Sequence, residues 1–163
     1  MKQRVYIETT IVSYLTAQTS RDPARAVHQG ITRRWWGSQR TKYDLRVSQF
    51  VLDEAGDGDA GAAKKRLEAL RDVPILADSV QARTLAKAIV EAGLLPQKAG
   101  IDALHLAMAA VHEVDVLLTW NCRHLANANK VRHLQVVNTE LGLSVPVITT
   151  PDLLLMEVED DQG

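Results

Sequence analysis

Short runs of β-branched and aliphatic residues alternate with longer amphipathic segments along this chain. The former pattern predicts strands, whereas apolar positions that recur every three or four residues predict helices. The predicted strands are residues 4–7, 46–48, 73–77, 114–119 and 146–149. The predicted helices are residues 10–17, 22–43, 50–55, 62–71, 79–92 and 130–141, and a helix whose buried stripe is Ile101, Leu104, Met108 and Val111. Strands separated by helices predict an α/β fold with a mainly parallel sheet covered on both faces.

Turn and helix-end signals support these boundaries. Pro23 stands in a predicted first helical turn, where its missing N–H costs little, and Gly93 follows the end of another predicted helix. The segment 57–61 is rich in Gly and Asp and predicts a break. We find no internal repeat and no long linker, so the sequence predicts one domain, residues 1–155. The acidic tail, residues 156–163, is expected to be solvated and disordered.

Composition narrows the class of protein. Of the 163 residues, 46% are apolar and 24% are charged, which is typical of a soluble globular domain. The single cysteine, Cys122, excludes an internal disulfide framework and a zinc site built on cysteine pairs. Neither a signal-peptide pattern nor an apolar run long enough to span a bilayer is present. We therefore expect a cytoplasmic protein that does not associate with membranes.

Four polar residues lie where a parallel sheet places its ligands. Glu8 follows the first predicted strand, Glu54 lies on the helical turn after the second, and Asn121 follows the fourth. Asp102 opens the helix before that fourth strand. Ligands bind at the carboxyl ends of such strands, so these side chains converge if the first and fourth strands are neighbours. Each also has a structural interpretation: a helix cap for Glu8, a surface residue for Glu54, a helix-dipole partner for Asp102 and a turn residue for Asn121.

Three carboxylates in one cleft require compensation of their charge. Two such charges ~4 Å apart repel by roughly 4 kcal/mol at an effective dielectric of ~20. Oxygen ligands without a Cys or His pair favour Mg²⁺ or Mn²⁺ over zinc. We predict that Glu8 and Asp102 bind such an ion, and that Glu54 positions or deprotonates the attacking water.

Four motifs, YIETTIVSYL, VSQFVLDE, IDALHLAMAA and VDVLLTWNCRHLANA, together resemble the PIN-domain nucleases, and most closely the VapC-type toxins of toxin–antitoxin pairs. The resemblance extends over nearly the whole chain. It implies a three-layer sandwich, with a sheet of about five parallel strands between helices, and Mg²⁺- or Mn²⁺-dependent endoribonuclease activity. It also implies that Glu8, Glu54, Asp102 and Asn121 occupy the four positions of the family's acidic catalytic residues.

Two of these positions depart from the family pattern. Glu8 and Asn121 stand where the family usually has aspartates, so the site has three negative charges where the family has four. This departure favours a single metal ion. It also leaves an alternative open, a catalytically weakened PIN-like domain that acts as an RNA- or protein-binding module. A phosphotransfer domain is disfavoured, because Glu8 replaces the nucleophilic aspartate and no lysine follows the last strand.

The segment 21–46 has seven Lys or Arg residues against two acids, a local charge of +5 that leaves −6 for the rest of the chain. A protein of net charge −1 that binds RNA needs such a localised basic face, so we predict RNA contacts from Arg33, Arg34 and Arg40. Trp35 and Trp36 offer stacking faces for bases, although an amphipathic helix with core tryptophans explains them equally well. For His105, which shares a helix face with Asp102, we expect a hydrogen-bonding role rather than metal ligation.

The resemblance further implies a small antitoxin partner and a homodimer. A toxin that cleaves RNA in its own cell must be held inactive, and a partner's Arg or Lys inserted among the carboxylates would achieve this. We expect an apolar helix of the partner to lie in a groove. Ile11, Tyr14 and Leu15, or the Trp35–Trp36 region, are the candidates for that groove, for a dimer contact or for the core.

Overall fold

A computed structural model describes residues 1–160, and over these residues five parallel strands form one sheet flanked by eight α-helices. The strands are β1 (Arg4–Ile7), β2 (Asp44–Ser48), β3 (Ile75–Leu76), β4 (Val116–Leu118) and β5 (Val147–Thr149). The helices are α1 (Thr9–Thr16), α2 (Pro23–Ser38), α3 (Gln49–Ala55), α4 (Ala60–Leu70), α5 (Val80–Glu91), α6 (Gly100–Val111), α7 (Ala128–Glu140) and α8 (Pro151–Asp160). The predicted α/β class and the five-stranded parallel sheet are confirmed.

The sheet has the strand order β3-β2-β1-β4-β5, with β1 in the centre. Val5 of β1 is paired with Leu45 of β2 on one side and with Val116 of β4 on the other. The connections therefore change direction between β1 and β4, which is where open parallel sheets form a crevice at their carboxyl ends. The first and fourth strands are neighbours, as the convergence of the predicted site residues requires.

The central strand explains why the core forms here. Val5, Tyr6 and Ile7 of β1 are fully buried, because helices cover both faces of a parallel sheet and leave no solvated side. The neighbouring β4 is buried throughout as well, from Val116 to Leu118. The two strands that precede Glu8 and Asn121 are thus the most deeply buried part of the sheet.

Helix α6 packs differently from the predicted stripe. Ile101, the first residue of that stripe, is 45% exposed, and the buried face instead contains Ala103, Leu106 and Ala107. Packing of α6 against α5 and β4 accounts for the difference, because alanines let these elements approach closely. The remaining residues of the predicted stripe are buried or pack against the core, so the predicted inward face is wrong only at Ile101.

The helix ends follow the sequence signals. The Asp22 carboxylate caps α2 by accepting hydrogen bonds from the backbone N–H groups of Ala24 and Arg25, and Pro23 is the first residue of that helix. Helix α5 is followed by Gly93 with φ +74°, a conformation that glycine adopts without strain. The predicted helix 22–43 is divided, since α2 ends at Ser38 and a 3₁₀ turn spans Arg40–Lys42.

Helix α8 extends to Asp160, so helical backbone continues into the segment expected to be a disordered tail. Residues 161–163 of that segment lie outside the described part of the chain. Within the described residues, no helix has both the length and the apolar character needed to cross a membrane.

Candidate active site

Glu8 follows β1 and occupies the N-cap of α1. It is 3% exposed, and its Oε2 accepts hydrogen bonds from the Thr10 backbone N–H at 3.1 Å, from the Thr119 hydroxyl at 2.8 Å and from the Thr10 hydroxyl. Burial raises the pKa of Glu8, although the charge of His105 and these hydrogen bonds act in the opposite direction. The helix-cap interpretation is thus confirmed, and the same residue also lies at the switch point of the sheet.

Glu54 is held from two sides. Its Oε1 accepts a hydrogen bond from the Thr9 hydroxyl at 2.7 Å and lies 2.5 Å from Nε2 of His105. Burial alone would raise the pKa of Glu54, but the hydrogen bond and charge of His105, together with the Thr9 hydroxyl, hold that pKa below its usual value. With 37% of its side chain exposed, Glu54 is the member of this group that faces solvent.

His105 anchors the group in the core. It is fully buried, and its Nδ1 lies 2.7 Å from the Tyr6 hydroxyl, which in turn lies 2.6 Å from Oγ of Ser48. Burial raises the pKa of Tyr6 above its usual range, so the phenol stays protonated. Both ring nitrogens of His105 are engaged in hydrogen bonds, which confirms the role expected from the sequence.

Glu8, Glu54 and His105 form a compact cluster. One ligand atom from each side chain, a carboxylate oxygen or an imidazole nitrogen, lies within 4.8 Å of the other two. We refer to these three residues as the acidic cluster. It combines a buried and a solvent-facing carboxylate, whose oxygens suit a divalent cation, with an imidazole whose two nitrogens are already hydrogen-bonded.

Asp102 and Asn121 lie beside this cluster rather than in it. Oδ2 of Asp102, in the first turn of α6, lies 2.9 Å from Nδ1 of His124. Oδ1 of Asn121 accepts a hydrogen bond from the His124 backbone N–H at 3.1 Å, and the Asn121 backbone N–H donates to the Thr119 hydroxyl at 2.9 Å. The Thr119 hydroxyl also donates to Glu8. A chain of hydrogen bonds therefore runs from Glu8 through Thr119 and Asn121 to His124 and Asp102.

The residues that support the carboxylates were not predicted from the sequence. The hydroxyls of Thr9, Thr10 and Thr119 donate to Glu8 or Glu54, and His124 contacts Asp102. Thr9 and Thr10 directly follow Glu8 in the sequence and could have indicated these contacts, because a buried carboxylate requires nearby hydrogen-bond donors. His124 gave none, because its contact with Asp102 depends on the conformation of the loop after β4.

The predicted RNA-binding arginines lie on or near α2. The Arg33 guanidinium donates to the backbone carbonyls of Ala17 at 2.6 Å and Leu15 at 3.4 Å. Arg40 lies over the ring of Trp36, 4.5 Å from its centroid. Arg33 therefore satisfies backbone carbonyls at the end of α1. RNA contacts by Arg33, Arg34 and Arg40 remain a prediction.

The aromatic and apolar residues proposed for stacking or docking are largely internal. Trp35 is fully buried and its ring stacks against Tyr43 at 5.8 Å, so it belongs to the core and offers no face to a base. Ile11 is fully buried as well, whereas Tyr14 and Leu15 are half-buried. A partner groove cannot therefore be built on Ile11 or Trp35.

Comparisons with known proteins agree with this architecture. No protein-family model and no curated protein matches the chain. Among solved structures, a chain of VapBC2 from Rickettsia felis, crystallised with a DNA fragment from its promoter, superposes with a TM-score of 0.52 at 12% identity, covering 91% of this chain and 98% of that one. VapC20 from Mycobacterium tuberculosis, described as a toxin that cleaves the sarcin–ricin loop, gives 0.44 at 17% identity over 69% and 86% of the two chains. The superposition on the R. felis chain supports the PIN-like fold that the four motifs predict.

Proposed function

We propose that this protein is a divalent-metal-dependent endoribonuclease and the toxin of a toxin–antitoxin pair. The observation that carries the proposal is the acidic cluster, in which Glu8, Glu54 and His105 converge within 4.8 Å at the carboxyl edge of a PIN-like sheet. Carboxylates gathered at a switch point mark a site where a cation and a phosphate group can meet.

The donor set fits Mg²⁺ or Mn²⁺. Because both nitrogens of His105 are engaged with Glu54 and Tyr6, the carboxylates remain as ligands, and oxygen ligands suit these two ions. In this proposal Glu8 and Asp102 bind the ion, as the sequence predicts. Asp102 precedes His105 by three residues on α6, so the two side chains share a helix face about 5–6 Å apart at their Cβ atoms.

In this proposal the other side chains have separate roles in the hydrolysis of the phosphodiester bond. When bound, the ion polarises a phosphate oxygen and lowers the pKa of a coordinated water. Glu54, ionised and open to solvent, orients the attacking water and accepts its proton while a new P–O bond forms and the bond to the leaving oxygen breaks. His105 holds Glu54 in place for this step, and Asp102 lies within hydrogen-bond distance of His124.

The biological setting follows from the same cluster. A small antitoxin partner would insert an Arg or Lys among the carboxylates, which neutralises them and excludes the metal ion. The R. felis chain with the same fold comes from VapBC2 bound to a fragment of its promoter. We propose that this chain forms a homodimer, binds an antitoxin and acts on RNA in the cytoplasm.

A second candidate is a PIN-like module that binds RNA or protein without efficient catalysis. It is favoured by the hydrogen bonds at the two positions that depart from the family pattern. Oε2 of Glu8 already accepts three hydrogen bonds, and Oδ1 of Asn121 accepts one from the backbone of the loop after β4. These contacts compete with metal ligation.

The deciding experiment measures cleavage of a structured RNA by the full chain with Mg²⁺, with Mn²⁺ or with EDTA. We expect cleavage that requires the ion and is abolished in Glu54→Gln and Asp102→Ala. Glu140→Gln is the matched control, since Glu140 is exposed at the end of α7 and away from the cluster. RNA binding without cleavage by the wild-type chain would favour the second candidate, and neither binding nor cleavage would overturn both.

The partner is tested separately. The small gene adjacent to this one is co-expressed, and complexes are purified through a tag on this chain. Co-purification that is lost when the wild-type chain is saturated with Mn²⁺ supports an antitoxin that competes for the carboxylates. Unimpaired growth and intact RNA on expression of this chain alone would contradict the toxin assignment.

A further inference from the structure

A groove lined mainly by residues of polar type lies between α1 and α4 and reaches the start of α2. A cavity of about 450 Å³ is lined by Thr10, Ser13, Gln18 and Arg25, among others, and by Arg66. A second cavity of about 340 Å³ shares Ala17, Gln18 and Arg66 with the first and adds Lys65. Because the two cavities share these walls, they form one continuous depression, which we call the α1–α4 groove.

The groove is basic although the protein as a whole is not. Arg25, Lys65 and Arg66 line it against a single acid, Asp59, whose carboxylate is occupied in capping α4 through the Ala62 N–H at 2.9 Å. Within residues 1–160, the side chains of Arg25 and Lys65 make no ion pair or side-chain hydrogen bond. Two cations with free donors therefore face the depression.

One end of the groove touches the acidic cluster. Thr10 lines the groove, and both its hydroxyl and its backbone N–H donate to Glu8. Arg66 donates to the backbone carbonyls of Ala55 at 2.8 Å and Asp57 at 2.6 Å, which fixes it at the end of α3, the helix that carries Glu54. A chain that follows the groove is thus led directly to the carboxylates.

We infer that the α1–α4 groove holds the single-stranded RNA next to the scissile phosphate; the inference rests on the proposed nuclease function. Arg25 and Lys65 bind backbone phosphates, and Arg66 shapes the wall between groove and cluster. The hydroxyls and amides that line the groove supply donors and acceptors to sugars and bases. The ring of Tyr14, held edge-on to His28 at 6.3 Å and to Trp120 at 6.2 Å, gives a base an aromatic wall.

The lining favours RNA over a helix of a partner protein. A helix that lies in a groove needs pockets for apolar side chains spaced three or four residues apart. Here the apolar residues are Tyr14, Ala17 and Ala62, and apart from Asp59 and Gly61 the other lining side chains are cationic, hydroxyl or amide. A polyanion with sugar and base hydrogen-bonding groups matches that chemistry.

The test uses paired charge removals on the full chain. Arg25→Gln and Lys65→Gln each remove a groove cation. Arg21→Gln and Lys64→Gln remove the same charge from exposed residues that do not line the groove. Binding of a short fluorescein-labelled single-stranded RNA is followed by anisotropy in EDTA, so that no cleavage occurs, at several salt concentrations.

We expect each groove variant to weaken binding by about three- to tenfold and to reduce the slope of log K against log salt by about 0.7, while the controls leave both unchanged. Equal effects in groove and control variants would overturn the inference. Groove variants that bind RNA normally but no longer bind the co-expressed partner would also overturn the inference, because the groove would then be a binding site for a protein. If the wild type cleaves RNA in Mn²⁺ but the groove variants behave as the controls, the groove assignment alone fails. If the wild type neither binds nor cleaves RNA, the nuclease proposal fails with it.

Discussion

Nε2 of His105 lies 2.5 Å from Oε1 of Glu54, and this contact connects α6 to α3 inside the acidic cluster. The second nitrogen of the same ring lies 2.7 Å from the Tyr6 hydroxyl on β1. Three elements that are remote in sequence thus meet at one fully buried imidazole, which fixes the direction of a solvent-facing carboxylate. His105 is therefore a positioning residue in the proposed reaction.

We expect His105→Gln to lower kcat for RNA cleavage by about 10- to 100-fold, as is typical when the group that orients a functional residue is removed. The KM for RNA should stay within about twofold, because His105 is buried and does not face substrate. Steady-state kinetics and a thermal melt measure the two effects separately. A lower melting temperature with unchanged kcat would show that His105 only supports the fold.

Arg33 gives a contrasting prediction about stability. Its guanidinium donates to Leu15 and Ala17 and reaches the Thr19 hydroxyl at 3.3 Å, so it satisfies carbonyls at the end of α1. We expect Arg33→Gln to lower the free energy of unfolding by about 1 kcal/mol, because the side chain is exposed and its hydrogen bonds compete with water. Urea denaturation measures this. Unchanged stability with weaker RNA binding would instead confirm the RNA contact predicted from the sequence.

The sequence located the carboxylates because one rule connects them to the fold. Strand β1 was predicted at its observed bounds, and the acids were found by asking which polar residues follow a buried strand. That rule does not predict the contacts that hold the carboxylates in place. Tyr6 meets Ser48 and His105 across separations of 42 and 99 residues, and such pairings depend on the strand order and on the rotation of α6.

Charge counts had a similar limit. They identified a basic segment but could not show which of its cations face a groove. Arg33 donates to a backbone carbonyl at the end of α1, whereas Arg25 lines a cavity. Helix α6 shows the same limit for apolar residues. The apolar spacing predicted the helix and most of its inward face, but it missed the buried alanines, which the pattern does not distinguish from surface residues.

Glu8 and Glu54 should respond to pH in opposite directions. Folding raises the pKa of Glu8, so the stability that this carboxyl contributes is present below its unfolded pKa and is lost as pH rises through its folded pKa. Folding lowers the pKa of Glu54, so its contribution is present above its unfolded pKa and is lost as pH falls through its folded pKa. In EDTA near pH 7, Glu8→Gln should therefore increase the free energy of unfolding and Glu54→Gln should decrease it.

Urea denaturation of both variants and the wild type at about pH 7 and about pH 4 checks this pair, since the differences should shrink on the acidic side. Glu140→Gln, on an exposed residue, serves as the control and should change neither value. Destabilisation by Glu8→Gln at neutral pH would mean that its hydrogen bonds to Thr10 and Thr119 outweigh the cost of its burial.

Asn121 decides how strongly the site attracts a cation. Aspartate has the same shape as asparagine and keeps an oxygen to accept the hydrogen bond from the His124 N–H, so Asn121→Asp should fold normally. It adds one negative charge, which at roughly 6 Å from a divalent ion and a dielectric of ~80 strengthens binding by about 1.4 kcal/mol, or about tenfold. Titration calorimetry with Mn²⁺ measures the gain, and Asp102→Asn, which removes one charge nearby, should produce the opposite change. An unchanged affinity in Asn121→Asp, with a reduced one in Asp102→Asn, would assign Asn121 to the turn alone, because its side chain would then lie outside the field of the ion.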